Sequence, residues 1–426
     1  MIFDRPLTRE EQLRSQKALI RFNLLNGFSY MSLGETVIIL FAVKIACPNA
    51  LIAALGAMFY FAYLLMPLGK WMTSRVGAVR SQADFWTYRN LAGLLVASAA
   101  VWEYFGLHLA AMGAILAGAF FFYGFRAAGA VMGMPIIGEI TRESDRARFL
   151  AANSSGFQLT SLAALLLVTC LTTWSQSVWV LTFVILAGST VGIGSTYFLR
   201  QLSESTELRA AARRPLLAEI GHAWRNSHFR SQQFADIAVN MSAILLVPMS
   251  MLALKRGCGV SDTHALLFSL VQFGSATVMS RFAARIVEKL GPVLMIRICF
   301  CLRLLLIACW IFMPAPYWPA LAAVPFFLCG SCGVVIGNAM TQYFLKALPT
   351  RSQVAGSMIW SIFGNAGAGL VGMAAASGLM KLAQHLAGDA QDGFLLYRIY
   401  FLLAFAFCAI VCLYPIFRLK KFGGAQ

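Results

Sequence analysis

The chain has 426 residues, of which 59% are hydrophobic and only 12% are charged, and its mean hydropathy is +0.73. A soluble protein carries about 25% charged residues, so this composition excludes an ordinary soluble domain. The formal net charge of +17 comes from Lys and Arg residues whose distribution suits a membrane protein, so we expect no nucleic-acid partner. The composition predicts an all-α polytopic membrane protein.

Apolar runs near the length that crosses a bilayer, about 20 residues, recur along the whole chain. We predict twelve transmembrane helices, at 22–43, 49–68, 85–105, 110–134, 149–171, 177–198, 232–254, 261–282, 292–313, 317–345, 353–380 and 394–416. The polar stretch before the first span lacks the apolar core of a cleavable signal peptide. The long connection after span 6 predicts an N-terminal half at 1–199, a cytoplasmic linker at 200–230 that includes an amphipathic helix, and a C-terminal half at 231–426.

The cations indicate the orientation of the spans. The N-terminal tail, the even-to-odd loops with the span ends that adjoin them, and the C-terminal tail hold 27 of the 34 Lys and Arg residues, and the opposite side holds four. Three further arginines, Arg126, Arg303 and Arg398, are assigned to span interiors. By the positive-inside rule, both termini are expected to be cytoplasmic.

Two loops carry a similar pattern half a chain apart. The first reads KWMTSRVGAVR from Lys70, and the second reads ARIVEKLGPV from Ala284. Their matching or neighbouring positions are Ser74, Arg75, Gly77, Arg80, Glu288, Lys289 and Gly291. Two like halves joined by a long linker are typical of secondary transporters built from parallel repeats.

At these residues the sequence resembles the major facilitator superfamily, whose loop between spans 2 and 3 has the form G-x-x-x-D-R-x-G-R. Arg75 and Gly77 fit this form, whereas Lys70 and Ser74 replace its first Gly and its Asp. The resemblance implies twelve helices in two six-helix pseudo-repeats, with the loop acid and base latching the halves together. Asp84 is a candidate for the missing acid. The alternative interpretation of both loops is ordinary anchoring by positive charge.

Two charged residues lie deep within predicted spans. Arg126 stands in the run GAFFFYGFRAAGAVMGMP, where a guanidinium costs about 2.5–3.5 kcal/mol on insertion scales. Glu35 lies in SLGETVIIL of span 1, at a depth within about 7 Å of Arg126. We predict an ion pair between them that titrates during turnover, and the alternative is a static pair that fixes span 1 against span 4.

The position of Arg126 is similar to the span-4 arginine of proton-coupled members of the family, in the motif R-x-x-Q-G-x-G. Gly129 and Ala130 stand here at the Gln and Gly positions. The resemblance also implies that spans 1 and 4 border a central cavity. On an ideal helix Glu35 and Asn26 face opposite sides, a conflict that a kink at Gly27 or Gly34 would relieve.

Other polar or aromatic residues within the spans are candidates to line a substrate pathway, because membrane polar groups usually face protein or water. They are Asn26, Tyr30, Asn153, Gln158, Asp236, Asn240, Gln272, Asn338, Gln342, Trp360 and Asn365. The competing explanation is hydrogen bonding between helices. Arg398 is expected to snorkel, and the sequence gives no role for Arg303.

The sequence therefore predicts a secondary active transporter of a small polar organic solute, working by alternating access with proton symport for uptake. The drug-antiporter motif of span 5 is missing, so export of drugs or metabolites is the alternative, followed by a non-transporting receptor or scaffold with the same fold. We expect no enzymatic activity, no cofactor and no metal, with a proton or other cation gradient as the energy source. The expected partners are the solute and the lipid bilayer, around a monomer in the cell (inner) membrane.

Overall fold

A computed structural model describes residues 2–48, 51, 55, 58–59, 61–175, 177–213, 216–260, 262–314, 318–388 and 394–422. Almost all of these residues are helical, as expected for a chain that must satisfy its backbone hydrogen bonds inside a bilayer. The chain divides into two compact units. Unit 1 holds Met1–Ala223 and Leu348–Ile362, and unit 2 holds Trp224–Ala347 and Phe363–Gln426.

The elements up to the linker begin with the strand β1 (Ile2–Phe3). The helices that follow are α1 (Arg9–Ser32), α2 (Glu35–Lys44), a 3-10 turn (Ala62–Leu65), α3 (Met66–Val76), α4 (Ala78–Tyr104), α5 (His108–Ala130), α6 (Gly133–Ile140), α7 (Glu143–Trp174) and α8 (Val178–Leu199). The linker contains the strand β2 (Glu204–Ser205) and the helices α9 (Thr206–Arg213) and α10 (Leu216–Arg225).

The rest of the chain is also helical. Its elements are α11 (Ser227–Leu252), a π-helical segment (Ala253–Gly257), α12 (Asp262–Leu290), α13 (Pro292–Ile311), α14 (Pro319–Ala347), α15 (Thr350–Ile359), a second π-helical segment (Trp360–Gly367), α16 (Ala368–Ala387), α17 (Phe394–Leu413) and a third π-helical segment (Tyr414–Arg418).

Within the described residues, nine helical stretches are long and apolar enough to cross a membrane. They are Arg9–Lys44, His108–Ile140, Glu143–Trp174, Val178–Leu199, Ser227–Gly257, Pro292–Ile311, Pro319–Ala347, Ser352–Ala387 and Phe394–Arg418. The protein is thus a multi-pass membrane protein. Part of span 2 lies outside the described residues, and α4 and α12 are long helices that are not among the nine. The full count of twelve spans stays a prediction.

The first span is interrupted where the sequence offers a glycine. Helix α1 ends at Ser32, and α2 begins at Glu35 with Gly34 as its N-cap residue. The break therefore falls at Gly34, one of the two glycines at which the sequence suggested a kink. Gly27 instead lies inside α1, where a Cβ atom would collide with the Phe157 carbonyl of α7, so it serves close helix packing.

In unit 1, α1 packs against α7 and α8, while α4 packs against α5 and α8. This arrangement surrounds the polar residues of α1 and α4 with protein. In unit 2, α14 packs against α12 and α13, and α11 packs against α16. Trp310 of α13 is fully buried there and stacks on Phe401 of α17, with ring centroids 5.5 Å apart.

The N-terminal tail and the linker of unit 1 are tied together by a short parallel sheet. Ile2 of β1 pairs with Glu204 of β2, and Phe3 pairs with Ser205. The Thr8 and Glu11 capping box then starts α1, with the Thr8 backbone N–H donating to Glu11 Oε2 at 2.7 Å. The domain boundaries predicted from the sequence are not fixed by this pairing and remain a prediction.

Candidate functional site

The arginine of the fourth predicted span is held by aromatic rings. The Cζ atom of Arg126, in α5, lies 4.9 Å from the ring centroid of Tyr30 and 5.0 Å from that of Phe59. Phe59 in turn packs edge-to-face on Tyr63 and Tyr123, at 5.6 and 5.8 Å. We call Tyr30, Phe59, Tyr63 and Tyr123 the aromatic box. Cation–π attraction of about 1–2 kcal/mol per desolvated ring offsets part of the cost of this charge.

A fully buried arginine, Arg89, lies beside Arg126. Arg89 of α4 is 0% exposed and is an electrostatic neighbour of Arg126. Its Nη1 donates to Asn26 Oδ1 at 2.9 Å, and its Nη2 donates to Ser29 Oγ at 3.1 Å. Its Cζ atom lies 4.9 Å from the Phe122 ring centroid. Neutral acceptors and an aromatic face thus replace the water that a guanidinium has in solution.

The acceptors around Arg89 are themselves held in place. The Trp86 indole N–H donates to Asn26 Oδ1 at 3.1 Å, and Ser29 Oγ donates to Asn90 Oδ1 at 3.1 Å. Gly192 of α8 lies directly over this pair, because a Cβ atom there would collide with both Asn90 and Ser29. The polar network therefore joins α1 to α4 under a close contact with α8.

No carboxylate forms an ion pair with Arg89 or Arg126 among the side chains that the structure describes. The predicted partner, Glu35, is the first residue of α2, but its side chain lies outside the described residues. An acidic residue in the first turn of a helix is favoured by the helix dipole. The pair of Glu35 and Arg126 stays a prediction.

Other pathway candidates of unit 1 form helix contacts. Asn23 Nδ2 donates to Asn153 Oδ1 at 2.7 Å, which joins α1 to α7. Tyr30 also packs on Phe157, with centroids 5.7 Å apart. Gln158 Oε1 is buried and makes no hydrogen bond with any described residue. Trp360 begins the π-helical segment that follows α15.

The candidates of unit 2 make mostly local contacts. Asn240 Nδ2 donates to Asp236 Oδ2 at 3.1 Å, one turn away on α11, and Gln342 Nε2 donates to Asn338 Oδ1 at 2.7 Å on α14. The remaining two are half-buried, Gln272 on α12 and Asn365 in the second π-helical segment.

The two arginines of unit 2 have structural partners. Arg303 is buried, and its Nη1 donates to the Val239 carbonyl and to Ser242 Oγ, both at 3.0 Å. It therefore ties α13 to α11, a role that the sequence did not suggest. Arg398 donates to the Met313 carbonyl at 2.7 Å, so it caps the chain just beyond α13.

The glycines of the two repeated loops share one backbone conformation. Gly77 joins α3 to α4 with φ +97°, and Gly291 joins α12 to α13 with φ +77°. Side chains disfavour this left-handed region, which explains a glycine at both sites. In the first loop the Arg75 guanidinium lies 4.2 Å from the Trp71 ring centroid, and Ser74 Oγ donates to the Trp71 carbonyl.

The other charged residues of the loops are more exposed. Arg80 lies 3.9 Å from Asp84, and Asp84 also pairs with Arg200 at 3.3 Å, so this acid joins α4 to the end of α8. Glu288 and Lys289 are exposed on α12. The latch that the family resemblance implies for these residues stays a prediction.

An acid from the linker, which sequence analysis missed, reaches the first loop. Glu204 Oε2 accepts hydrogen bonds from the backbone N–H groups of Ala78 and Val79, at 2.6 and 3.1 Å. These are unpaired donors of the first turn of α4, where a carboxylate is favoured. Burial raises the pKa of Glu204 above its ordinary value, against the effect of these hydrogen bonds.

Arg89 is not among the site residues predicted from the sequence, because its position near the start of predicted span 3 suggested a cation of the adjoining positive loop. In the structure the residue lies three turns inside α4 and is fully buried. One feature of the sequence could have identified Arg89 as buried, because position 89 falls inside the apolar run 85–105. An arginine inside such a run has to be solvated by neighbouring helices.

Long apolar helices around buried polar networks define a multi-pass helical membrane protein. A sequence model of the Major Facilitator Superfamily matches residues 22–373, and the chain belongs to this family of transporters. No curated protein matches the sequence significantly.

Solved structures show the same fold at low sequence identity. A bacterial homologue of the iron transporter ferroportin, in an outward-facing state with soaked iron, is 14% identical with a TM-score of 0.69, over 95% of this chain and 99% of its own. The human organic anion transporter MFSD10 (TETRAN) is 14% identical with a TM-score of 0.65, over 93% and 99%. The E. coli fucose:proton symporter is 10% identical with a TM-score of 0.62, over 94% and 98%.

Proposed function

We propose that the chain is a secondary active transporter that takes up a small polar organic solute by alternating access, coupled to proton symport. The observation that carries the proposal is Arg126, a charged and partly exposed residue within the apolar helical stretch His108–Ile140, framed by the aromatic box. A helix that served only to anchor the protein would gain nothing from a charge at this depth.

The proposal gives the coupling role to Glu35 and Arg126. A carboxylate near a guanidinium favours its ionised form, whereas a poorly hydrated site favours the protonated form. A solute or conformational change that alters the pairing would therefore move a proton on or off Glu35. A proton or other cation gradient supplies the energy, and no cofactor takes part.

The full proposal includes a monomer with twelve spans and cytoplasmic termini in the cell (inner) membrane. Single cysteines placed at exposed positions near each end, in a background without the native cysteines, test the orientation by labelling from one side of the membrane. Labelling of either terminus from outside intact cells would contradict it.

Reconstitution into proteoliposomes tests the function itself. We expect an inward proton gradient to drive accumulation of a labelled solute, found first by screening sugars, organic acids, amino acids and nucleosides for thermal stabilisation. Replacing Glu35 by Gln should abolish accumulation driven by the pH gradient while leaving exchange of solute for solute. Glu10→Gln, which neutralises an exposed acid in the first turn of α1, is the control and should leave accumulation unchanged.

Three outcomes would contradict the proposal in different ways. Accumulation driven by an outward proton gradient would indicate export of drugs or metabolites. If the Glu35→Gln variant took up the solute as strongly as the wild type under a pH gradient, Glu35 would have no role in proton coupling. A protein that binds a partner and moves no solute would be a receptor or scaffold.

A further inference from the structure

The spans of unit 1 carry more positive than negative charge. Their charged residues are Glu35, Arg89, Glu103 and Arg126. Glu103 lies one residue before the end of α4 and contacts His108 Nδ1 at 2.8 Å, so it belongs to the end of the helix. The interior of these spans therefore holds two guanidinium groups, those of Arg89 and Arg126, and one carboxyl group, that of Glu35. Even an ionised Glu35 leaves one positive charge without a counter-ion.

The two arginines differ in what they offer to a ligand. Arg89 is completely buried, and both of its terminal nitrogens donate to side chains of α1. Arg126 is partly exposed and makes no hydrogen bond with any residue whose side chain the structure describes. A guanidinium carries five N–H donors in one plane, and the Tyr30 and Phe59 rings beside Arg126 offer π faces rather than acceptor oxygens, so these donors have capacity for a ligand.

We propose that the transported solute is a small organic anion whose carboxylate binds the donating edge of Arg126 within the aromatic box. This inference rests on the proposed function and names the substrate class of the same site. A carboxylate matches the fork of a guanidinium with two parallel hydrogen bonds, and its single charge equals the surplus of unit 1. Arg89 adds positive potential from behind and is a positioning residue for Asn26 and Ser29.

The positive charges of Arg89 and Arg126 disfavour the other classes of solute. A cationic solute would meet two guanidinium groups, one buried and one partly exposed, in a medium of low dielectric constant, where repulsion is strong. A neutral sugar would leave the donating edge of Arg126 unpaired and the surplus charge in place. A phosphate carries about 1.5 to 2 negative charges at neutral pH, more than the single surplus positive charge of unit 1.

Matched pairs of solutes test the substrate class on the full-length protein in detergent. The probes are glucuronate against glucose, lactate against lactamide and benzoate against benzamide, with inorganic phosphate as a separate arm. We expect at least one carboxylate to raise the melting temperature and its neutral counterpart to have no effect, because only a ligand of the folded state stabilises it.

Variants then assign the binding to one residue. Arg126→Gln should weaken binding of the stabilising carboxylate about 10- to 100-fold, the loss expected for a charge-assisted hydrogen bond, and Arg126→Lys should retain part of it. Arg398→Gln, which removes a charge from a span of unit 2, is the matched control and should leave the affinity unchanged. Size-exclusion profiles and unliganded melting temperatures show whether each variant is folded.

The outcomes separate this inference from the proposed function. Equal stabilisation by the neutral counterparts, stabilisation by phosphate alone, or an unchanged affinity of Arg126→Gln would each overturn the carboxylate assignment. If proteoliposomes showed counterflow of a neutral or cationic solute that Arg126→Gln did not affect, the proposal of a transporter would stand and the proposal of an anionic substrate would be wrong. A complete absence of flux for every solute would overturn the transporter itself.

Discussion

The Arg89 guanidinium donates a hydrogen bond of 2.9 Å from Nη1 to Asn26 Oδ1, so a fully buried cation of α4 is held by a neutral amide of α1. The same oxygen accepts from the Trp86 indole at 3.1 Å. Both acceptor directions of this oxygen are therefore occupied within the protein. Asn26 was predicted to line the substrate pathway, and its contacts here favour the competing explanation, a hydrogen bond between helices.

Removing this acceptor should cost stability. Asn26→Leu leaves Arg89 and Trp86 without their common acceptor, and we expect a loss of about 2–4 kcal/mol in the free energy of unfolding. Asn153→Leu, which breaks the neutral pair with Asn23, is the matched control and should cost about 1 kcal/mol. Chemical denaturation in detergent measures both.

A double-mutant cycle shows whether the cost of Asn26→Leu comes from the stranded charge. Arg89→Leu removes the cation, so adding Asn26→Leu to it should cost clearly less than Asn26→Leu alone. Strictly additive losses would mean that the two residues stabilise the protein independently. In that case the 2.9 Å hydrogen bond from Arg89 to Asn26 would not be what makes the buried charge tolerable.

The loop glycines provide a prediction with its control inside the same chain. Gly77→Ala and Gly291→Ala both place a side chain at positive φ, which costs about 1–2 kcal/mol. At Gly77 the added Cβ atom also collides with the Glu204 carboxylate, whereas at Gly291 it meets open space among the described residues. The melting temperature should fall further for Gly77→Ala. Equal losses of melting temperature in the two variants would show that the Glu204 side chain moves away from the added Cβ atom without destabilising the protein.

The fold was predictable from the sequence because its main determinants are local. Apolar runs of span length follow from composition, and the polar pattern of span 1 suggested a kink at Gly27 or Gly34, of which the structure has the break at Gly34. The repeated loops pointed to the family because Gly77 and Gly291 answer the same local demand for positive φ.

The contacts of the candidate site were not predictable in the same way. Arg89 and Asn26 are 63 residues apart, and their contact depends on how α1 and α4 rotate about their axes. Glu204 and Ala78 are 126 residues apart, and only the pairing of β2 with β1 brings the linker to this loop. Hydropathy carries no information on either arrangement.

The pH dependence of stability should report on Glu204. Burial holds its pKa above the ordinary value, so the folded protein keeps this proton more tightly than the unfolded chain does. Its contribution to stability is therefore full below the ordinary pKa of about 4.3, and it is lost as the pH rises through the raised pKa of the folded state.

Glu204→Gln isolates this contribution, because an amide oxygen still accepts from Ala78 and Val79 but does not titrate. Between pH 7 and pH 5 the wild-type protein should gain melting temperature relative to Glu204→Gln as the pH falls. Glu207→Gln, at an exposed position of the linker, is the control. Glu204→Ala should lose about 1–3 kcal/mol at any pH, since it removes the acceptor. If the melting temperature of the wild type instead rose relative to that of Glu204→Gln as the pH increased, the pKa of Glu204 would be lowered by folding and this prediction would be wrong.

The docking of α9 gives the last prediction. Its cations Arg209 and Arg213 donate to the carbonyls of Arg75 and Ser74, which are unpaired acceptors at the C-terminal end of α3. Lys70 of α3 donates in the opposite direction, to the carbonyl of Ala212 at 2.9 Å. Cations at a helix C-terminus are favoured by the helix dipole, so these contacts should hold the linker helix against α3.

Replacing Arg209 and Arg213 together by Gln should therefore release α9, and amide hydrogen exchange over residues 206–213 should accelerate about 10- to 100-fold. Arg225→Gln, an exposed cation of α10, is the control and should leave that exchange unchanged. Because α9 follows β2 directly, its release should also loosen Glu204 from the first turn of α4, and exchange at Ala78 and Val79 should rise in parallel. Faster exchange confined to α9 would show that the sheet holds Glu204 in place without the help of the linker helix.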